Sequence, residues 1–461
     1  MTRGLSRRAV LAGLAAGVAA RPGRGRAAEP PRAGYLLVDL KGGQVLDARD
    51  ADRAFPPASV AKLVTTLYAL EALGPGYRFA TRLVASGPVE GGALAGDLAL
   101  VGGGDPVLDT DALGELAAEL SGLRAIKGGF RIDAGALPAI GQIAEDQPDA
   151  AGYNPAIAGL NLNFNRVYLQ WAPGASGPKT AFSAPGERFE VDVPSVRAEV
   201  TRAVREPTHG FGPGGEVWRL PAGGMRGAGS LWLPVREPVP YAAEVFAALA
   251  GRGGLTLPAA IDGPAGGGTV LAERRGAPVA ELLRGMLFHS TNLTAEVLGL
   301  RATQTRGGTP GDLARSAAAM TNWARAEYGL GGAVFVNHSG LTDQSHLTPR
   351  EQVRLLARAE DRLPGLLRER PVADGAGGTF RAEGARVLAK TGTLDFVSAL
   401  AGYVERRNGR RLAFAIFAAD PAARAAIHPE DRADPPGAAR WANRARAEQA
   451  ALLRKWLAAY G

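Results

Sequence analysis

The chain reads as an α+β protein: an antiparallel sheet packed by helices and interrupted by a large β-rich insert. Three observations carry that expectation. Strand-like runs sit at both ends of the chain, Tyr35–Leu40 and Gln44–Leu46 near the start, Ala399–Val404 and Leu412–Phe417 near the finish. Helix-like periodicity flanks those runs, beginning at Ser59 and again over Ala438–Tyr460. Between them, from about Tyr77 to Arg236, short β-like runs alternate with Gly-rich turns such as Gly102-Gly103-Gly104-Asp105-Pro106. At 461 residues the chain exceeds what one core usually serves, so two or three domains are expected.

In chain order, residues 1–27 read as an export signal. Ser6-Arg7-Arg8-Ala9-Val10-Leu11 is a twin-arginine pattern, and the apolar stretch Ala9–Ala20 falls short of the ~20 residues a membrane-spanning helix needs. Gly25-Arg26-Ala27 offers small residues around a cleavage point; an uncleaved anchor and a basic tail are the alternatives. Six arginines and no acid lie in this segment, so the formal charge of +8 falls to +2 without it. A periplasmic location with no stable membrane span is therefore expected, and the charge lends no support to nucleic-acid binding.

Residues 28–76 form the N-terminal part of the expected catalytic domain. Tyr35–Leu40 is a strand, Gly42-Gly43 a turn, and Gln44–Leu46 the return strand. Pro56-Pro57 halts regular structure. Val60, Leu63, Val64, Leu67 and Leu70 then follow helical spacing, and Ala61, Tyr68 and Ala69 make the other face apolar, the pattern of a buried helix. Residues 77–236 are the β-rich insert, with Val167–Trp171 and Val217–Leu220 among its strands. Residues 237–461 are read as the rest of the catalytic domain. They carry helical patterns at Tyr241–Leu249 and Val279–Phe288, and Asn408-Gly409 as a two-residue hairpin signal. In the last helix, Leu452, Leu453, Trp456, Leu457 and Tyr460 share a face.

The chemistry is marked by lysine. Of 53 Lys+Arg residues only six are lysines: Lys41, Lys62, Lys127, Lys179, Lys390 and Lys455. A guanidinium stays charged at any working pH, whereas a buried ammonium can release its proton. Lysine kept in so Arg-rich a chain points to sites where Arg cannot serve. Lys62 closes Ser59-Val60-Ala61-Lys62. Residues three apart on a helix share a face, so the Ser59 hydroxyl lies beside an amine able to take its proton. Ser176-Gly177-Pro178-Lys179 has the same spacing, but Gly-Pro forbids a regular helix, and it is assigned to a loop.

Two further motifs complete the candidate site. Ser290-Thr291-Asn292 would bring a second hydroxyl near Ser59, with Asn292 holding Lys62 or a substrate amide. Lys390-Thr391-Gly392-Thr393 reads as a strand. Alternation puts Thr391 and Thr393 on one face, to bind a terminal carboxylate, and Lys390 on the other, to turn toward Ser290 and supply charge. Gly392 would let a substrate backbone approach. The backbone N–H groups of Ser59 and Thr393 are candidates for an oxyanion hole. Together the motifs spell serine acyl transfer. The absence of cysteine excludes thiol chemistry, and the five histidines lack metal-binding spacing, so neither metal nor cofactor is expected.

So ordered, these motifs resemble those of the penicillin-binding serine acyltransferases. Ser59 and Ser290 are 231 positions apart. That gap makes the chain most similar to the D-alanyl-D-alanine carboxypeptidase/endopeptidase family of class C penicillin-binding proteins, whose catalytic domain carries a large insert there. Ser339-Gly340-Leu341, Leu347-Thr348-Pro349 and Val397-Ser398-Ala399-Leu400-Ala401-Gly402-Tyr403 agree with it. The resemblance implies a β-lactamase-like transpeptidase fold. It implies Ser59 as nucleophile, Lys62 as base, Ser290 and Asn292 as the second motif, and Lys390, Thr391, Gly392 and Thr393 as substrate-binding residues. Its substrates would be peptidoglycan stem peptides, cleaved through an acyl-enzyme that β-lactams trap. A β-lactamase or esterase on the same scaffold, or a non-catalytic wall-binding protein, are the alternatives. The sequence departs from the family at Thr291, where Asp is frequent, and at Asn337-His338, where Asp-Gly is common.

Overall fold

The computed structural model describes residues 32–175, 177–380 and 384–461. The expected export signal and Ser176 lie outside the described residues. The rest forms two compact units, one made of residues 77–278 and the other of residues 32–76 with 279–461.

The discontinuous unit is built on a five-stranded antiparallel sheet. Its strand order is Gln44–Arg49, Gly34–Asp39, Arg411–Ala419, Val397–Glu405, Arg386–Leu394. The first hairpin thus docks on the last strand, as the two-ended strand pattern implies. Alternation sorts the side chains. Leu412, Phe414 and Ile416 join Leu37, Leu400 and Val404 in a core closed by Trp441, Leu453, Trp456 and Leu457 of the C-terminal helix Ala438–Tyr460. On the opposite face, Phe417 meets Phe55 edge-on, and the Tyr403 hydroxyl donates to the Leu356 carbonyl of the helix Pro349–Arg358. With both faces covered, nearly every residue of Val397–Glu405 is buried. The hairpin at Asn408-Gly409 forms, but with a longer connection than expected. Residues 406–410 link strands that end at Glu405 and resume at Arg411, and Gly409 alone takes a positive φ (76°). A two-residue type I′ turn would need Asn408 there as well.

The second face also carries the helices that hold the candidate site. Ala58–Ala61 is one 3₁₀ turn leading into the helix Lys62–Leu73, whose first eight residues are all buried. The helices Val279–His289, Asn292–Thr305 and Leu313–Tyr328 belong to the same unit.

The continuous unit has its own core, with Leu83, Leu100, Phe130, Trp218, Leu233 and Phe246 among its buried members. A five-stranded sheet runs Ala260–Asp262, Phe130–Asp133, Leu98–Gly102, Arg78–Ala85, Thr269–Pro278, beside a four-stranded and a three-stranded sheet. The insert therefore ends at Pro278, not at residue 236. Its entry strand Arg78–Ala85 needs an antiparallel partner, which the exit strand Thr269–Pro278 supplies. The helix Pro238–Arg252, read from sequence as a return to the catalytic domain, buries Tyr241, Val245 and Phe246 in the insert core instead. Asp105 caps no helix. It accepts from the Val107 N–H, while Asp109 caps the helix Thr110–Ala118. Asp133 and Asp149 both accept from backbone N–H groups of the insert.

Candidate active site

Ser59 sits in the 3₁₀ turn and Lys62 follows as the first residue of the α-helix. In 3₁₀ geometry residues three apart eclipse one another, and the Lys62 Nζ lies 2.8 Å from the Ser59 Oγ. Two further contacts fix the amine: the Asn292 Oδ1 and the Ser339 carbonyl oxygen, each at 2.7 Å. Both of these atoms are acceptors only. A neutral Lys62 has two N–H bonds to give them, so its lone pair is left facing the Ser59 hydroxyl. The arrangement thus specifies the direction of proton transfer.

Burial tunes the same amine. Lys62 has no exposed surface, and desolvation pulls its pKa down to about 7, against the opposing pull of the Glu296 charge. Glu296 is the residue that motif reasoning missed. It lies one helical turn beyond Asn292, on the same face of the helix Asn292–Thr305. Its two carboxylate oxygens accept from the backbone N–H groups of His338 (2.9 Å) and Ser339 (2.8 Å). This holds the Ser339 carbonyl toward Lys62. The legible signal was an acid in an otherwise non-acidic run directly after Ser290-Thr291-Asn292.

The second cluster stands on the edge strand Arg386–Leu394. The Lys390 Nζ donates to the Ser290 Oγ at 2.9 Å and to the Thr391 carbonyl at 2.6 Å. Lys390 is 1% exposed; burial, then Lys62 and Arg370, drive its pKa well below the ordinary lysine value. Thr391 is partly exposed and Thr393 exposed, on the face opposite Lys390. Gly392 answers a close contact within the chain. A Cβ there would lie 2.7 Å from the Pro57 carbonyl and 2.9 Å from the Ser59 nitrogen, so glycine lets the strand close on the turn that carries Ser59. Gly340 does the same from the other side: a Cβ would lie 2.0 Å from the Ala58 carbonyl.

Strain concentrates here. Ala58 (φ 44°) and Ser290 (φ 60°) are left-handed non-glycine residues, a conformation costing about 1–3 kcal/mol each. The surrounding packing enforces it and sets the two hydroxyls. His338, one of the two departures from the family pattern, is buried, and desolvation lowers its pKa to about 3. Its Nε2 lies 2.8 Å from the Ser316 Oγ. Gly299 makes room for its ring, since a Cβ there would sit 2.1 Å away. Thr291, the other departure, is the N-cap of its helix without a side-chain capping bond.

The fold and this motif set define a penicillin-binding type of serine peptidase. Penicillin binding protein 4 (dacB) of Haemophilus influenzae matches the fold with a TM-score of 0.69 at 21% identity, over 85% of this chain and 91% of that one. The model of the D-Ala-D-Ala carboxypeptidase 3 (S13) family matches residues 26–434, and the chain belongs to that family. It is 31% identical to a D-alanyl-D-alanine carboxypeptidase of Actinomadura sp., over 83% of this chain and 77% of that protein. Identity to the D-alanyl-D-alanine carboxypeptidase DacB of Haemophilus influenzae is 25%, over 84% and 85%.

Proposed function

We propose that the protein is a serine-type D-Ala-D-Ala carboxypeptidase with DD-endopeptidase capacity, acting on peptidoglycan stem peptides in the periplasm after export. The observation that carries the assignment is the buried Lys62 amine 2.8 Å from the Ser59 hydroxyl, with two acceptor-only partners behind it. Neutral Lys62 takes the Ser59 proton as Oγ attacks the penultimate D-Ala carbonyl. The N–H groups of Ser59 and Thr393 receive the oxyanion. The proton taken by Lys62 then reaches the leaving amine by relay through the hydroxyl of Ser290, which is hydrogen-bonded to Lys390, and the substrate carboxylate rests on Thr391 and Thr393. Water then adds to the acyl carbon, gives its proton to Lys62, and Lys62 returns it to the Ser59 Oγ as the acyl group leaves as a carboxylic acid. A β-lactam follows the same first step and stays attached; a complex of the related Haemophilus protein with a β-lactam supports this reading. Among the described residues no helix is long and apolar enough to cross a membrane.

The test is labelling with a fluorescent penicillin, followed by digestion of monomeric and cross-linked muropeptides with products identified by mass. The protein should label, Ser59→Ala should not, and terminal D-Ala should appear with cleaved cross-links. A wild-type protein that stays dark would remove the acyl-enzyme assignment.

A further inference from the structure

The edge strand that carries Lys390 is covered for only part of its length. Arg370 donates its backbone N–H to the Val387 carbonyl (2.8 Å), and the Ala389 N–H donates to the Arg368 carbonyl (3.1 Å). Glu369 and Leu388 form an antiparallel bridge between these bonds. The Arg370 guanidinium reaches past the end of this pairing. Its Nε donates to the Ala389 carbonyl at 3.3 Å, and its Nη2 stands 3.5 Å from the Thr391 Oγ1. The second distance is at the outer limit of a hydrogen bond, so Arg370 and Thr391 are two donors that a shared acceptor would draw together.

The charges around it are unbalanced. Among the described residues Arg370 forms no ion pair, although it is half-buried. Lys390 is its neighbour and feels its charge. Arg368, which stacks on Phe288, disfavours its charge as well. Glu296, the carboxylate that bears on Lys62, already accepts from His338 and Ser339. A half-buried guanidinium whose neighbour Arg368 disfavours its charge is a site that an anion would relieve.

We propose that Arg370 is a substrate-binding residue that, with Thr391, holds the terminal carboxylate of the stem peptide. The proposal rests on the carboxypeptidase reading above and deepens it. The guanidinium offers a planar fork to a carboxylate that the Thr391 and Thr393 hydroxyls alone cannot. It would make a free C-terminus, rather than the D-Ala-D-Ala bond itself, the main source of discrimination.

The experiment compares kcat/KM for an acylated peptide ending in D-Ala-D-Ala with that for its C-terminal amide, in wild type, Arg370→Gln and Arg370→Lys. Wild type should prefer the carboxylate. In Arg370→Gln the carboxylate-to-amide ratio should fall about 10- to 100-fold, mainly through KM. Arg370→Lys should recover part of it, because charge returns without the fork. An unchanged ratio, including one in which both substrates suffer equally, overturns the proposal. Failure of the underlying reading looks different: the wild type would then neither hydrolyse the peptide nor label with penicillin.

Discussion

Lys62 and Lys390 are both almost wholly buried, yet their surroundings set them to different tasks. Lys62 faces Glu296 and contacts two acceptors and the hydroxyl it is placed to deprotonate. Lys390 faces two cations, Lys62 and Arg370, and holds a hydroxyl and a carbonyl. Burial alone would push both amines toward neutrality. The neighbours differ in sign: a carboxylate opposes the effect of burial on Lys62, while two cations add to it on Lys390. Two lysines in one cleft are thus not duplicates. One is poised to exchange its proton at working pH, and the other is set by its two cationic neighbours against a third charge.

The strongest attempt to break that contrast replaces Lys62 by Arg. Charge is kept but release of the proton is lost, so second-order acylation by penicillin should fall at least about 1000-fold. Retention of a tenth of the wild-type rate would end the assignment of Lys62 as base. Lys390→Arg should be milder, about 10- to 100-fold, because the hydroxyl that must lose its proton for attack is Ser59 and not Ser290. Its cost comes from an obligate cation set beside Lys62 and Arg370. If both substitutions cost the same in stopped-flow acylation, the division of labour between the two lysines is wrong.

The contrast was only partly legible in the sequence. Ser59-x-x-Lys62 could be read because three-residue spacing on a helix fixes a face, and the structure brings Ser59, Lys62 and Asn292 into hydrogen-bonded contact. The sheet could be read from its two ends because each strand alternates or is fully apolar. What decides the electrostatics could not. Glu296 lies 234 positions from Lys62, and Arg370 meets Thr391 through an irregular segment that pairs with the strand by only a few bonds. Gly392 and Gly340 carry the same lesson. Each looked like a motif residue, but each serves a close approach to the turn holding Ser59, a contact no local pattern encodes. The insert boundary failed for a similar reason. An amphipathic helix announces that it packs, not on which core, and Pro238–Arg252 packs on the insert.

Glu296 gives the gentlest and most specific test. Both of its oxygens accept N–H groups, a geometry that suits the ionised carboxylate although burial raises its pKa. The charged and titratable groups bearing on Lys62 are then Glu296 from its helix, Lys390 from the edge strand, and His338, which burial keeps neutral. Acylation needs the neutral amine, so its rate should rise with pH through about 7. Glu296→Gln removes the one charge that favours the ammonium. The Lys62 pKa must fall, and the acid limb of the pH–rate profile should move to lower pH. The maximal rate should also drop, by about 3- to 10-fold, because an amide can accept only one of the two N–H groups and loosens the Ser339 carbonyl. A purely structural Glu296 would lower the plateau and leave the limb where it is. The movement of that limb therefore separates a residue that holds the loop from one that also sets the charge on the base.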